Sequence, residues 1–149
     1  MEKISLPQDF SDFLKLLIEK KVKFLLISGY AVTYHGYPRY TGDIDFFVEA
    51  TTLNANKLVE VVKQFGFEAP NLKADLFTTL GKIVRLGKEP FRIEILNKID
   101  GLTFEEAYPN RVSVSCGEFD IPVISLKDLK KNKAASGRAK DIADLENLS

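Results

Sequence analysis

The stretch "SGYAVTYHGYPRYTGDIDFFVEA", residues 28–50, places two carboxylates, Asp43 and Asp45, one residue apart inside an apolar run. The alternation in "GDIDFFV" predicts a β-strand, in which side chains two residues apart point to the same face. Asp43 and Asp45 then share a face, with Phe47 behind them. Two anions on one face of an apolar strand repel each other and lose hydration, so a positive group is expected between them.

An Asp-x-Asp pair by itself also fits an edge strand with a solvated face, which is the ordinary explanation. Three further features favour a binding site. A third carboxylate, Glu94, lies centrally in "FRIEIL", where it alternates with two isoleucines. Gly29 opens a short predicted helix that stops at Gly36, and helix N-termini are ready sites for phosphate. Mg²⁺ prefers one or two carboxylates together with phosphate oxygens and water, which is the set on offer here.

Length and composition indicate a single globular domain. The chain of 149 residues is long enough for one domain with its own core, and we expect that domain to span residues 1–149. Its apolar fraction of 45% is typical of a globular protein. The 21 basic and 21 acidic residues cancel, so any affinity for phosphate or nucleic acid must be local.

Cysteine usage and the N-terminal residues favour a soluble cytoplasmic protein. Cys116 is the only cysteine, so no intramolecular disulfide can form, and we expect a buried structural thiol in a reducing compartment. The first ten residues, "MEKISLPQDF", lack an apolar signal core, and no run approaches about 18 apolar residues, so no membrane contact is expected. His35 is the only histidine, which excludes a histidine-cluster metal site and favours a structural role.

Hydrophobic spacing predicts helices and strands along the whole chain. Residues 8–21 fit a helix, "VKFLLI" (22–27) fits a short buried strand, and a later helix could be capped by Thr52 and ended by Gly66. "KIVRL" and "FRIEIL" flank "GKEP" as a hairpin, and "RVSVSC" and "FDIPVI" form a second extended pair. Two short helices close the chain. The predicted class is a single α/β domain with helical ends.

The segment "SGYAVTYHGYPRYTGDID" resembles the nucleotidyltransferase superfamily with the polymerase-β-like fold. The signature of that superfamily is a Gly-Gly or Gly-Ser pair, a short spacer and Asp-x-Asp or Asp-x-Glu, with a third carboxylate on a later strand. The segment is also similar to a small bacterial branch of minimal nucleotidyltransferases and abortive-infection-type toxins. There, Gly-Gly-Tyr-Ala-Val precedes His-Gly, Arg, Thr and Asp-x-Asp. The late stretch "SLKDLKKNKAASGRAKDIADL" resembles that branch as well, so the likeness runs from near residue 20 to the C-terminus.

The resemblance implies a mixed central sheet flanked by helices, an α/β (α+β) fold with a helical C-terminus. It also implies a metal-dependent enzyme in which Asp43, Asp45 and Glu94 are catalytic and hold Mg²⁺, with two ions expected. The substrate would be an NTP, whose nucleoside monophosphate passes to an acceptor hydroxyl with release of pyrophosphate. The acceptor would be a nucleic-acid end, a protein hydroxyl or a small molecule, and an antitoxin-type protein is a candidate partner.

Five residues are expected to bind the nucleotide. Gly29 matches the second glycine of the signature, whereas Ser28 stands in place of the first. If that first position needs a positive φ, serine is strained there, but its hydroxyl could instead donate to a phosphate oxygen. Arg39 and Thr41 match the family's Arg-x-Thr and either contact a phosphate or carboxylate or stabilise the loop. Lys133 lies on the apolar stripe of its helix, where it either extends to solvent or reaches a polyphosphate.

Two other classes of function remain open at this point. A catalytically silent member that binds a nucleotide or a partner protein, within a toxin–antitoxin pair for example, is favoured by Ser28. The presence of three aligned carboxylates speaks against it. A purely structural domain with solvated acids would show no magnesium-dependent protection by ATP against thermal unfolding.

Overall fold

A six-stranded mixed sheet forms the centre of the computed structural model, which describes residues 6–88 and 90–149. The helices and strands are, in chain order, α1 (Gln8–Glu19), β1 (Phe24–Ile27), α2 (Ser28–Tyr34), β2 (Asp43–Val48), α3 (Thr52–Phe65), α4 (Asp75–Thr78), β3 (Ile83–Lys88), β4 (Phe91–Leu96), α5 (Phe104–Ala107), β5 (Val112–Cys116), β6 (Phe119–Val123), α6 (Leu126–Ser136) and α7 (Ala139–Asn147). The strands lie in the order β3-β4-β2-β1-β6-β5.

The two central strands set the register of the sheet. β1 and β2 are antiparallel, and the last residue of β1, Ile27, lies opposite Asp45. β2 and β4 are parallel, and Asp45 lies opposite Glu94. β6 runs parallel to β1, while β3–β4 and β5–β6 are antiparallel hairpins. The end of β1, the start of β2 and the middle of β4 therefore meet along one row of the sheet.

Helices cover both faces of β2, which is why its apolar residues are buried on both sides. On one face, the Phe46 ring lies 5.7 Å from the ring of Phe13 in α1, and Phe13 lies 5.1 Å from Phe65 in α3. On the opposite face, the Phe47 ring lies 5.4 Å from Phe104 in α5. Asp43 and Asp45 share the Phe47 face, at the start of β2.

The structure confirms the predicted strands, both hairpins and the closing helices. The N-cap prediction of Thr52 is wrong, because Thr51 has the extended backbone of a cap and its hydroxyl accepts a hydrogen bond from the Asn54 amide at 3.2 Å. Gly66 ends α3 as predicted, with a φ of 113°. The spacing does not predict α4 and α5, because four residues are too few for a helical period. The predicted turn "GKEP" begins too early, because Gly87 and Lys88 belong to β3, and its third residue, Glu89, lies outside the described residues.

Cys116 and His35, the only cysteine and the only histidine of the sequence, make the structural contacts that the sequence predicts: the first is buried and the second is hydrogen-bonded. Cys116 is buried at the end of β5, and this burial raises the pKa of its thiol. The His35 ring donates through Nε2 to the carbonyl of Ile124 at 2.7 Å, which ties the end of α2 to the segment after β6. Within residues 6–88 and 90–149, none of the helices combines the length and apolar character needed to cross a membrane.

Candidate active site

The three predicted acids lie together on one face of the sheet. Asp43 and Asp45 are two residues apart in β2, and Glu94 is the direct cross-strand neighbour of Asp45. Directly opposed residues on neighbouring strands present their side chains to the same face. The same geometry adds two arginines to this face, because Arg92 lies opposite Asp43 and Arg85 lies opposite Glu94.

A cavity of about 530 Å³ opens over the acids. Its lining includes every residue that the sequence analysis proposed for the site: Ser28, Gly29, Arg39, Thr41, Asp43, Asp45, Glu94 and Lys133. It also includes residues that the sequence analysis did not propose: Tyr40, Gly42, Pro90, Arg138, Lys140 and Asp141. Residues far apart in the chain, from the start of α2 to α7, thus contribute to one concave surface of the size of a small-molecule site.

The three acids differ in their charge partners. Asp43 accepts two hydrogen bonds from Arg92, at 3.4 Å from Nε and 3.2 Å from Nη2. Glu94 accepts one from Arg85 Nε at 2.8 Å. Asp45 has no such cation, and its Oδ1 is buried without a hydrogen-bond partner among the residues that the structure describes. Asp45 is therefore the acid with the greatest need for a positive ligand.

The pKa of Asp45 reflects this environment. Burial is the largest cause and raises the pKa of the carboxyl to about 6, and the negative charges of Glu94 and Asp43 act in the same direction. A hydrogen bond from Ser28 and the charge of Lys140 oppose the rise without cancelling it. Raised carboxyl pKa values are common where a structure holds acids together for binding or catalysis.

The acids fit a divalent cation in part. The buried, unpartnered oxygen of Asp45 and the carboxylate of Asp43 beside it are the hard oxygen ligands that Mg²⁺ takes. Across residues 6–88 and 90–149, however, no three His, Cys, Asp or Glu side chains are gathered as a ready metal site. The physical reason lies in the two arginine pairs, which hold the carboxylates of Asp43 and Glu94 toward Arg92 and Arg85.

The loop between α2 and β2 is anchored at three points. Arg39 donates from Nε and Nη2 to the carboxylate of Asp144 in α7, both at 2.8 Å. The Thr41 hydroxyl donates to the Asp43 carbonyl at 3.0 Å, and its side chain fills the space where a Cβ on Gly29 would lie. Gly42 packs so closely on the Pro90 carbonyl that any Cβ there would collide with it. Of the alternatives open for these residues, Arg39 contacts a carboxylate and Thr41 stabilises the loop.

Lys133 is buried and ion-paired. Its side chain in α6 is only 5% exposed, and Nζ lies 2.7 Å from Asp141 Oδ1 and 3.1 Å from Asp144 Oδ2. Burial opposes ionisation of Asp141, but hydrogen bonds from Lys133 and Ser136 and the Lys133 charge hold its pKa at about 2. The alternative in which Lys133 extends into solvent is therefore wrong. Because Asp144 also binds Arg39, the same network joins α6, α7 and the loop before β2.

Ser28 has a φ of 59°, in the left-handed region that favours glycine. This is the strain that the sequence analysis raised for a serine at this position. It arises because the chain must turn sharply from Ile27, the last residue of β1, directly into α2. The Ser28 hydroxyl hydrogen-bonds the Asp45 carboxylate and lowers its pKa, so the side chain acts on an acid of the site.

The cavity-lining residues missed by the sequence analysis carried weak signals. Arg138, Lys140 and Asp141 belong to the stretch "RAKD", which resembles the family but whose spacing alone predicts no place in the site. Tyr40 and Gly42 lie within the stretch of residues 28–50, where they alternate with the predicted site residues Arg39, Thr41 and Asp43. Pro90 directly precedes β4, and only the pairing of β4 with β2 brings it to the cavity.

Comparison with known proteins shows that the chain matches the model of one protein family. The model of a protein family described as "Nucleotidyl transferase of unknown function (DUF2204)" matches residues 7–149. No curated protein matches the chain at a significant level.

Two solved structures share the fold. The lincosamide antibiotic adenylyltransferase LnuA, with lincomycin bound, superposes with a TM-score of 0.61 at 17% identity, over 99% of this chain and 98% of that one. A candidate nucleotidyltransferase from Thermotoga maritima superposes with a TM-score of 0.60 at 16% identity, over 92% of this chain and 88% of that one. The fold is therefore that of the polymerase-β-like nucleotidyltransferases, as the sequence resemblance implied.

The raised pKa of Asp45 predicts a pH-dependent effect of Asp45→Asn on stability. At pH values between the usual aspartate pKa and about 6, this carboxyl is ionised in the unfolded chain but largely protonated in the folded chain. The free energy of unfolding of the parent therefore falls as the pH rises through this range. Asp45→Asn removes that cost and should stabilise the protein at pH 8 by up to about 3 kcal/mol, with little effect near pH 4. Urea unfolding in a chelator at both pH values measures the difference. Asp43→Asn, which breaks the Arg92 pair, should not stabilise, and equal effects of both variants would contradict the assignment.

The ion pairs of Lys133 predict a structural role. Lys133→Met leaves the nearly buried carboxylates of Asp141 and Asp144 without their shared cation, and should cost about 3–5 kcal/mol of the free energy of unfolding. Lys130→Met, in the same helix, should change it by less than about 0.5 kcal/mol. Denaturant unfolding of the two variants side by side tests this. A small, equal effect at both positions would show that the network contributes nothing.

The positive φ of Ser28 predicts a difference between two replacements. Both Ser28→Ala and Ser28→Gly lose the hydroxyl, but only glycine adopts this backbone conformation without strain. Ser28→Gly should therefore be more stable than Ser28→Ala by about 1 kcal/mol. Thermal unfolding compares them, and an alanine variant as stable as the glycine variant would rule out backbone strain at this position.

Proposed function

The chain belongs to the family of nucleotidyl transferases whose model spans residues 7–149, and from that membership we propose a metal-dependent transfer of a nucleoside monophosphate from an NTP to an acceptor hydroxyl. The observation that carries the proposal is the arrangement of Asp43, Asp45 and Glu94 on one face of a cavity. Within it, a buried oxygen of Asp45 is left without a partner among the described residues.

The acids would serve the reaction in different ways. Asp43 and Asp45 would hold Mg²⁺, and Glu94 would complete the site and orient the acceptor hydroxyl and its proton. Bound there, two such ions would stabilise the charge that develops on the attacking and leaving oxygens of the displacement. The acceptor oxygen would form a bond to the α-phosphorus and give its proton to Glu94. The bond between the α-phosphorus and the oxygen that bridges to the β-phosphorus would break, and pyrophosphate would leave with the electron pair.

The arginine pairs impose a condition on this mechanism. Arg92 and Arg85 hold Asp43 and Glu94 by exposed or half-buried ion pairs, which contribute little stability and exchange readily. A cation bound by the acids would compete with both arginines for the carboxylates of Asp43 and Glu94, and a guanidinium group released in this way is a good partner for phosphate oxygens.

Basic residues of the cavity would bind the triphosphate. Lys140 and Arg138 are exposed on the cavity wall at the start of α7. Lys133 lines the same cavity, but its charge is already balanced by two acids, so its contact with phosphate would be secondary to its structural role. Ser28 and Gly29 lie at the sharp turn from β1 into α2, where the backbone could approach a phosphate closely.

A catalytically silent member, which binds a nucleotide or a partner protein of the antitoxin type, is the second candidate. The specific observation in its favour is that Arg92 and Arg85 already neutralise two of the three acids. Such a protein would bind an NTP without transferring any part of it.

Variants of the three acids should separate binding from turnover. Asp43→Asn and Asp45→Asn each remove a charge from the site of the metal that arrives with the triphosphate. Both nucleotide affinity in Mg²⁺ and turnover should fall, turnover by orders of magnitude. Glu94→Gln should leave affinity nearly unchanged and lower kcat, because its interaction with the acceptor oxygen strengthens only in the transition state.

Two measurements test these expectations, and neither requires that the acceptor be identified first. Calorimetry with Mg²⁺ and an NTP analogue whose α–β bridge is a methylene gives the affinities. Incubation in cell lysate with each α-labelled NTP, with ATP first, shows whether a nucleic acid, a protein or a small molecule takes the label. Unchanged affinity in folded Asp43→Asn and Asp45→Asn would reject the metal site. Binding of NTP with no labelled product from any of the four would favour the silent member.

A further inference from the structure

Tyr40 is an exposed aromatic residue on the cavity wall. Its side chain is 77% exposed, the highest value among the large exposed hydrophobic residues of the described chain. Single exposed aromatics are ordinary on protein surfaces, so exposure alone carries no functional meaning. Its position between two anchored residues, at the edge of the cavity that holds the acids, is what requires an explanation.

The backbone of Tyr40 is held on both sides. On one side, Arg39 binds Asp144 with two hydrogen bonds of 2.8 Å and also donates to the Tyr40 carbonyl at 3.3 Å. On the other side, Thr41 bonds the Asp43 carbonyl and packs against Gly29. The ring thus projects from a fixed segment, and a ligand that contacts it would not have to order a loop.

Gly42 leaves room for the ring of Tyr40 because it has no side chain. The Tyr40 hydroxyl oxygen lies 3.1 Å from the point that a Cβ on Gly42 would occupy, so any larger residue at position 42 would crowd the ring. Pro90 lines the same cavity. Phe91, the next residue, belongs to the opposite face of the sheet, where its ring packs edge-on against Phe10 of α1 at 6.0 Å. Tyr40 and Pro90 therefore give this side of the cavity an exposed aromatic ring and a proline, while the three acids lie on β2 and β4 and Lys140 lies on α7.

We propose that Tyr40 is the platform on which the nucleobase of the bound NTP stacks. The inference rests on the proposed function, and it adds the base-binding part of the site to the part that holds the triphosphate. An NTP has one strongly anionic end and one flat aromatic end. The cavity offers Lys140, Arg138 and the acids for the first and the Tyr40 ring for the second.

The proposed contact has a consequence for base preference. Every base has a π-face, so stacking on an aromatic side chain tolerates all four bases and discriminates mainly by stacking strength. The rim of this cavity presents a tyrosine ring and a proline. We therefore expect weak selection among the NTPs, with the larger purines bound more tightly than the pyrimidines.

Replacement of Tyr40 should weaken binding of a nucleotide but not of a bare polyphosphate. Tyr40→Ala should bind the α,β-methylene NTP in Mg²⁺ about 5- to 150-fold more weakly than the parent, as expected for loss of one stacked base. Tyr40→Phe should keep the parent's affinity, because the ring remains. Inorganic tripolyphosphate should bind all three proteins equally. The exposed position of Tyr40 means that none of these variants should lose stability.

Fluorescence provides a direct readout of stacking. The chain contains no tryptophan, so Tyr40→Trp introduces a single indole at the site. Its emission should be quenched by the nucleotide analogue and left unchanged by tripolyphosphate. Equal affinity of parent and Tyr40→Ala for the analogue, or equal quenching by both ligands, would overturn the stacking inference alone. A folded parent that binds neither ligand would overturn the proposed function, and the inference with it.

Discussion

The register of β2 between β1 and β4 is the constraint on which the rest of this structure depends. In the observed register, Asp45 lies opposite Ile27 on one side and Glu94 on the other. A slip by one residue would turn both aspartates into the core against α1 and expose Phe46 to the cavity. The burial of Phe46 against Phe13 therefore holds the acids in place, since the core can be formed with only one pairing.

The three acids on this face of the sheet differ in whether a neighbouring cation balances their negative charge. Asp43 and Glu94 are balanced by Arg92 and Arg85, so the resting protein carries little strain at these positions. Asp45 is different, because its buried oxygen lacks a partner among the described residues and its pKa is raised to about 6. Such a local cost is retained in proteins where binding of a ligand removes it.

The C-terminal helices contribute to the site by fixing residues of other elements, in addition to the side chains with which they line the cavity. The chain of contacts from Lys133 through Asp144 to Arg39 connects α6 and α7 with the loop that leads into β2. Buried pairs of this kind add less to stability than their short distances suggest, because both charges lose their hydration. They do require one geometry, however, and here that geometry positions the segment from Arg39 to Asp43.

The sequence by itself determined the longer local elements and the three acids, but not the four-residue helices α4 and α5. Alternation in "GDIDFFV" and "FRIEIL" specifies which side chains share a face, since this follows from the two-residue period of a strand alone. The family signature led to the same residues. What only the tertiary structure decided is which charges meet: Arg92 with Asp43, Arg85 with Glu94, and Lys133 with Asp141 and Asp144. Sheet register and helix packing set those pairs, and both depend on contacts between residues distant in the chain. The exposed ring of Tyr40 at the cavity rim has the same origin, because the segment around it is anchored by Asp144, which lies 105 residues further along the chain than Arg39.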